Sequence, residues 1–139
     1  MNTPTHAMKD GSVTDEFDHA AVAYDRLVAA NPGYHAHLEI SARRLGLPGG
    51  GAGLRLLDLG CGTGASTAAL LRVLPKARIV GVDASSGMLE AARAKRWPAS
   101  VSFHRARAEE LTPTWATEHL DGPVDAVFGA YLIRNCPDP

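Results

Sequence analysis

Thiols are nearly absent from this sequence. Cys61 and Cys136 lie in unrelated contexts without metal-ligand spacing, so neither a disulfide framework nor a zinc site is indicated. The expected setting is a reducing one, the cytoplasm. Long apolar runs are missing too: nothing approaches the ~20 residues of a membrane span. The first twelve residues, MNTPTHAMKDGS, lack the basic-then-apolar order of a signal peptide and read as a disordered tail. Nor is there an excess of either charge. With 14 basic and 15 acidic side chains the formal net charge is -1, which gives no electrostatic ground for a nucleic acid or an anionic membrane as partner. What is present is 45% hydrophobic residues over 139 positions, enough for one modest globular core and a small ligand.

Apolar residues recur at helical spacing from Val13 to Ala30, with Asn31-Pro32-Gly33 as the stop, and again from Tyr34 to Leu45. Residues 13–47 thus form a helical preface. Pro48 to Gly53 (PGGGAG) reads as a flexible joint before a body at 54–139. There the pattern alternates: a strand at Leu54 to Leu59, a helix at Ala65 to Leu74, a strand at Arg78 to Val82 and a helix at Ser86 to Arg96. A third strand at Val101 to His104, a short helix at Pro113 to Leu120 and a fourth strand at Val124 to Gly129 complete it. Strand-helix alternation of this kind specifies an α/β fold, a parallel sheet with helices on its faces.

The informative segment is Leu57 to Gly64 (LDLGCGTG), which leaves a strand and opens a helix. Its glycines allow a sharp turn and a close approach of ligand to backbone. Asp83 closes the next strand 23 residues after Gly60, placed to accept hydrogen bonds from the ribose hydroxyls of a nucleoside. The competing role for such an acid is a helix N-cap, which Asp83, Ser85 or Ser86 could each supply. Gly60, Gly62 and Ala65 also fit a dinucleotide fingerprint loosely, so NAD is the rival ligand. Charge decides between them. Asp58 at the end of the first strand would repel a pyrophosphate, whereas S-adenosylmethionine brings an ammonium and a sulfonium that a carboxylate favours.

These residues resemble a known family. LDLGCGTG is similar to the glycine-rich motif of class I methyltransferases, and Val82-Asp83-Ala84-Ser85 with Met88-Leu89 resembles the motif that follows it. Phe17-Asp18, Ala21 and Tyr24-Asp25 resemble the preface of small-molecule methyltransferases, including those of ubiquinone and menaquinone synthesis, and Phe128 to Pro139 resembles the segment after their fourth strand. The resemblance implies a Rossmann-like sheet of order 3-2-1-4, with S-adenosylmethionine, and S-adenosylhomocysteine as product, across the carboxyl ends of the strands. Asp58, Gly60, Cys61 and Gly62 would line its methionine part, Asp83 its ribose, and Ala84 and Met88 its adenine. Tyr24 would lie over it as part of a lid.

Arg107 departs from the pattern. It stands where the family supplies an Asp or Asn to the adenine amino group, and a guanidinium cannot accept that hydrogen. Family members also continue through about three more strands, while this sequence runs ten residues past its fourth. The expectation is therefore an enzyme that obtains the remaining half from a distinct partner chain, with a homodimer through the fourth-strand edge as what the isolated chain would form. A non-catalytic donor-binding module is the alternative, and a NAD-binding protein a weaker one. No metal site and no catalytic base stand out. His19, His35 and His37 fall on the preface, His104 at a strand end and His119 near a helix end, each reading as a surface or capping residue, and Cys61 reads as a filler of the loop.

Overall fold

A computed structural model describes residues 21 and 23–130. The tail, half of the first expected helix and the segment after residue 130 lie outside the described residues. Helix α1 is seen as residues 23–29, followed by α2 at Pro32–Arg43. Asn31-Pro32 ends the first helix and also starts the second. The Asn31 carboxamide accepts from the Tyr34 N–H at 3.3 Å and Pro32 takes the first turn, so α2 begins and ends two residues earlier than the periodicity predicts.

The body places β1 (Arg55–Leu59), α3 (Ala65–Val73), β2 (Arg78–Asp83), α4 (Ser86–Arg93), β3 (Val101–Arg105), α5 (Pro113–Leu120) and β4 (Ala126–Phe128) in chain order. The four strands form one parallel sheet, order β3-β2-β1-β4, as the resemblance implies. Alternation along the strands sorts two cores. Leu56, Ile79, Val101, Phe103 and Phe128 face α2, α3 and α4, meeting Leu38, Leu70 and Leu89. Leu57, Val80 and Val82 face α5 and meet Ala116 and Leu120. Each large aliphatic side chain buried this way contributes roughly 1.5–3 kcal/mol.

Three expectations are corrected. Residues 48–53 are not a loose joint: Gly49–Gly51 form a 3-10 turn with Gly51 buried against Ala77 and Leu74, where a Cβ would meet carbon at 2.7 and 3.0 Å. Helix α4 stops at Arg93 rather than Arg96, because the chain tightens after it and Lys95 turns away to bind the Thr63 carbonyl at 2.7 Å. Strand β4 has three residues rather than six; just before it Asp125 holds Arg55 twice, its N–H donating to the Arg55 carbonyl and its Oδ2 accepting the Arg55 N–H, both at 2.8 Å. The 3-10 turn at Ala108–Glu110 has no counterpart in the periodicity.

Gly81 sits in the middle of β2 opposite Phe103, where an added Cβ would lie 2.7 Å from the ring and 3.0 Å from the Cys61 sulfur. Gly81→Ala should therefore destabilise the chain by about 1–3 kcal/mol through overpacking, read as a lower denaturant midpoint at unchanged slope. A neutral result would contradict this packing of β2 against β3.

Candidate functional site

The carboxyl ends of β1 and β2 lie side by side, Leu59 opposite Val82. From β1 the chain enters the glycine turn, where Gly60, Gly62 and Gly64 take φ of 64°, 55° and 95°, values that disfavour any residue with a Cβ. The turn is tied to β2 by its own backbone: the Cys61 N–H donates to the Val82 carbonyl at 3.0 Å and the Gly62 N–H to Asp83 Oδ2 at 2.9 Å. Asp83 Oδ1 accepts from the Ser85 N–H at 2.9 Å. Each carboxylate oxygen thus holds one N–H and keeps acceptor capacity, with the side chain half-buried. The capping alternative falls to a neighbour, since Ser85 accepts from the Met88 N–H and is the N-cap of α4.

Strand β3 brings the adenine-side positions to the same end. The Ala106 N–H donates to the Asp83 carbonyl at 3.2 Å, and Arg105 Nε to the Ala84 carbonyl at 3.1 Å. Ala84 is half-buried, Met88 is buried, and Arg107 is exposed at the start of the 3-10 turn.

Asp58 is fully buried, and its side chain lies on the α3 side of the sheet with that of Leu56. Oδ2 accepts from the Ser66 and Thr67 hydroxyls, both at 2.7 Å, while Oδ1 has no partner among the described residues. Burial pushes its pKa up to about 7, the two hydroxyls oppose this, and the Asp83 charge adds to it. Ser66 and Thr67 were not singled out by the sequence reading. Their signal was a Ser-Thr pair in the first turn of an otherwise aliphatic helix, eight and nine residues after the acid.

The remaining candidates separate. Cys61 is buried with its sulfur toward Gly81, and burial, then Asp58 and Asp83, push the thiol pKa up, away from the thiolate. Tyr24, half-buried on α1, places its hydroxyl 3.0 Å from that of Tyr34. What links the preface to the turn is Lys95, also missed in the sequence, whose Nζ meets the Thr63 carbonyl at 2.7 Å and Asp25 Oδ1 at 3.1 Å. His104 and His119 lie with Trp115 on the α5 side, ring centroids 4.7 Å apart between the imidazoles and 4.0 Å between Trp115 and His119. Burial and then His119 lower the His104 pKa. His35 packs edge-on against Tyr34, and His19 lies outside the described residues. Among the described residues no three His, Cys, Asp or Glu side chains gather as metal ligands, and no helix is long and apolar enough to cross a membrane.

Residues 56–139 match the family described as methyltransferase domain. A trans-aconitate 2-methyltransferase of Pseudomonas paraeruginosa is 38% identical over 86 residues, 59% of this chain and 28% of that protein. A methyltransferase solved in complex with a Haloferax volcanii methyltransferase activator is 28% identical, covering 69% of this chain and 41% of the solved one, with a TM-score of 0.56. Magnesium protoporphyrin IX methyltransferase of Synechocystis, solved with bound S-adenosylhomocysteine, shares the fold at 20% identity and a TM-score of 0.68, covering 90% of this chain and 59% of its own. The chain spans about a third or less of the length of the curated relatives it matches. With the glycine turn, the paired aspartates and the β3-β2-β1-β4 sheet in place, the chain belongs to the methyltransferase-domain family, the S-adenosylmethionine-dependent methyltransferases of class I.

Proposed function

We propose that the ends of β1 and β2 hold S-adenosylmethionine and that the chain is the donor-binding part of an enzyme methylating a small-molecule acceptor. The observation that carries this reading is the buried Asp58 carboxylate behind the glycine turn with one oxygen unsatisfied. A buried acceptor without a donor is costly, and a cationic ligand relieves that cost where a pyrophosphate would add to it. Asp58, Gly60, Cys61 and Gly62 then line the methionine part, Asp83 the ribose, Ala84 and Met88 the adenine, and Arg107 the adenine edge. The two N–H groups on Asp83 fix the direction of its remaining lone pairs before ligand arrives, which lowers the ordering cost of binding. Tyr24 belongs to the preface, residues 13–47, which we read as a lid over the donor-binding part at 54–139.

The donor carries its own leaving group, so the chemistry supplied on binding is an electrophilic methyl. What these residues contribute is position and the exclusion of water. The trans-aconitate relative and the balanced charge support a small acceptor over a nucleic acid. A reducing cytoplasm suits the free buried thiol of Cys61. The far edge of β4 has no neighbour among the described residues, and Val127 on it is 52% exposed. Such an edge is a pairing template, and we assign to it further strands from a partner protein, or a second copy when this chain is alone. The activator complex of the Haloferax volcanii relative supports assembly of this general kind.

Calorimetry on the purified chain should show saturable binding of S-adenosylhomocysteine, weakened by about 1.5–3 kcal/mol in Asp83→Ala, the scale of a charge-assisted hydrogen bond. Binding of NAD with no heat from either methionine ligand would overturn the reading. The pH dependence follows from Asp58. Its raised pKa means that its contribution to the ligand-free fold is fully present below the ordinary carboxylate range and lost as pH climbs through about 7. The donor's ammonium selects the ionised form. Affinity should thus rise from pH 6 to pH 8 by up to about tenfold in the native chain and stay flat in Asp58→Asn, since one pKa unit is ~1.4 kcal/mol. A flat native profile would show that Asp58 does not meet the donor's charge. Finally, light scattering at low micromolar concentration should find the isolated chain associated, and Val127→Lys should shift it toward monomer. A native monomer with a cooperative melt would count against the β4 interface.

A further inference from the structure

An open cavity of about 450 Å³ lies between α1, His35 of α2, one face of α3 from Ala65 to Arg72, and the loop after α4. That volume is in the range of small-molecule sites. It shares Gly64 with the glycine turn but none of Asp58, Asp83, Ala84, Met88 or Arg107, so it is a space separate from the one proposed for the donor. Its walls are mainly carbon: Val28 and Ala29 from α1, Ala65 and Ala68 from α3, and the Trp97 ring. The Trp97 wall is fixed. Its indole N–H donates to the Ala92 carbonyl at 2.8 Å, its ring meets Phe103 edge-on at 5.1 Å, and its far edge rests against Gly64, where a Cβ would lie 2.8 Å from Cζ2.

The charged groups around this apolar floor are unbalanced. Arg26, Arg72 and Lys95 line the cavity with one carboxylate, Asp25. Lys95 already holds Asp25 at 3.1 Å, and Arg72 reaches Glu39 at 3.5 Å. The Arg26 guanidinium has no ion pair or hydrogen bond among the described residues, while its backbone carbonyl takes the Ala30 N–H within α1. The first turn of α3 opens here without a side-chain cap, its Ser66 and Thr67 hydroxyls held from the sheet side by the Asp58 carboxylate. An apolar floor under surplus cations recognises a molecule with a greasy body and an anionic head.

We propose that this cavity is a binding site for a small amphipathic anion, an aryl or alkyl body bearing a carboxylate or sulfonate. The site is independent of the donor reading, and its test uses no donor. The probe is 1-anilinonaphthalene-8-sulfonate, whose fluorescence rises in an apolar cavity, displaced by cinnamate or by its neutral counterpart cinnamyl alcohol. The native chain should bind one probe per protomer, and cinnamate should displace it at concentrations at least about tenfold below those of the alcohol. Ala68→Trp, which fills the space from a helical position, and the double variant Arg26→Glu with Arg72→Glu should each weaken the probe by about tenfold or more at unchanged helicity. Ile40→Lys, at an exposed apolar position on α2 outside the cavity where the probe also has surface to adhere to, should leave binding as it was. Loss of the signal in Ile40→Lys, unchanged binding in Ala68→Trp with its helices intact, or equal displacement by acid and alcohol would each overturn the proposal.

Discussion

One side chain holds the functional end of this molecule together, the carboxylate of Asp83. It takes the Gly62 N–H on one oxygen and the Ser85 N–H on the other, and so fixes the turn after β1 to the turn after β2. The turn after β1 is also held by the Cys61 N–H on the Val82 carbonyl and by Lys95 Nζ on the Thr63 carbonyl, while the turn after β2 is only two residues long. Its own backbone carbonyl receives Ala106, which draws the exit of β3 into the same arrangement. Three of the four strand ends therefore meet at one residue.

Beside it stands a carboxylate of the opposite temper. Asp58 is buried, hydrogen-bonded by the hydroxyls of Ser66 and Thr67, and left with an oxygen that no described residue answers. The two acids differ because the strands present them differently. Asp83 ends its strand and is half-exposed, while Asp58 is one residue short of the end of β1 and faces the helix layer. Asp83 serves hydrogen bonds between the two turns, while burial makes Asp58 resist ionisation until a cation arrives.

The arrangement of strands and helices was legible in the sequence because hydrophobic alternation and the glycine turn report directly on local geometry. Helix α5 runs from Pro113 to Leu120 as read, and β1, α3, β2 and β3 differ from their readings by a single residue at one end. What was not legible depends on partners distant in sequence. The early stop of α4 follows from Lys95 finding a carbonyl 32 residues back, and at the entrance to β4 Asp125 finds Arg55 across 70 with both its N–H and its carboxylate. Periodicity carries no information about either. Asp58 lies between these cases: its place in the motif and on the face of Leu56 was readable, but its burial depends on α3 covering that face.

The turn at residues 48–53 has a consequence for how the preface and the body can be recombined. Lys76 donates its N–H to Gly50, and Arg78 donates to Leu54, so the entrance to β1 is laced to the entrance to β2 at the end of the sheet opposite the glycine turn. Gly51 completes the seam by lying against Ala77 too closely for any side chain. A graft that exchanged the helical preface for that of a relative would have to be spliced before Pro48. A junction placed among the glycines would put the first strand out of step with the second, and the error would pass along the ladder to the aspartates at its far end.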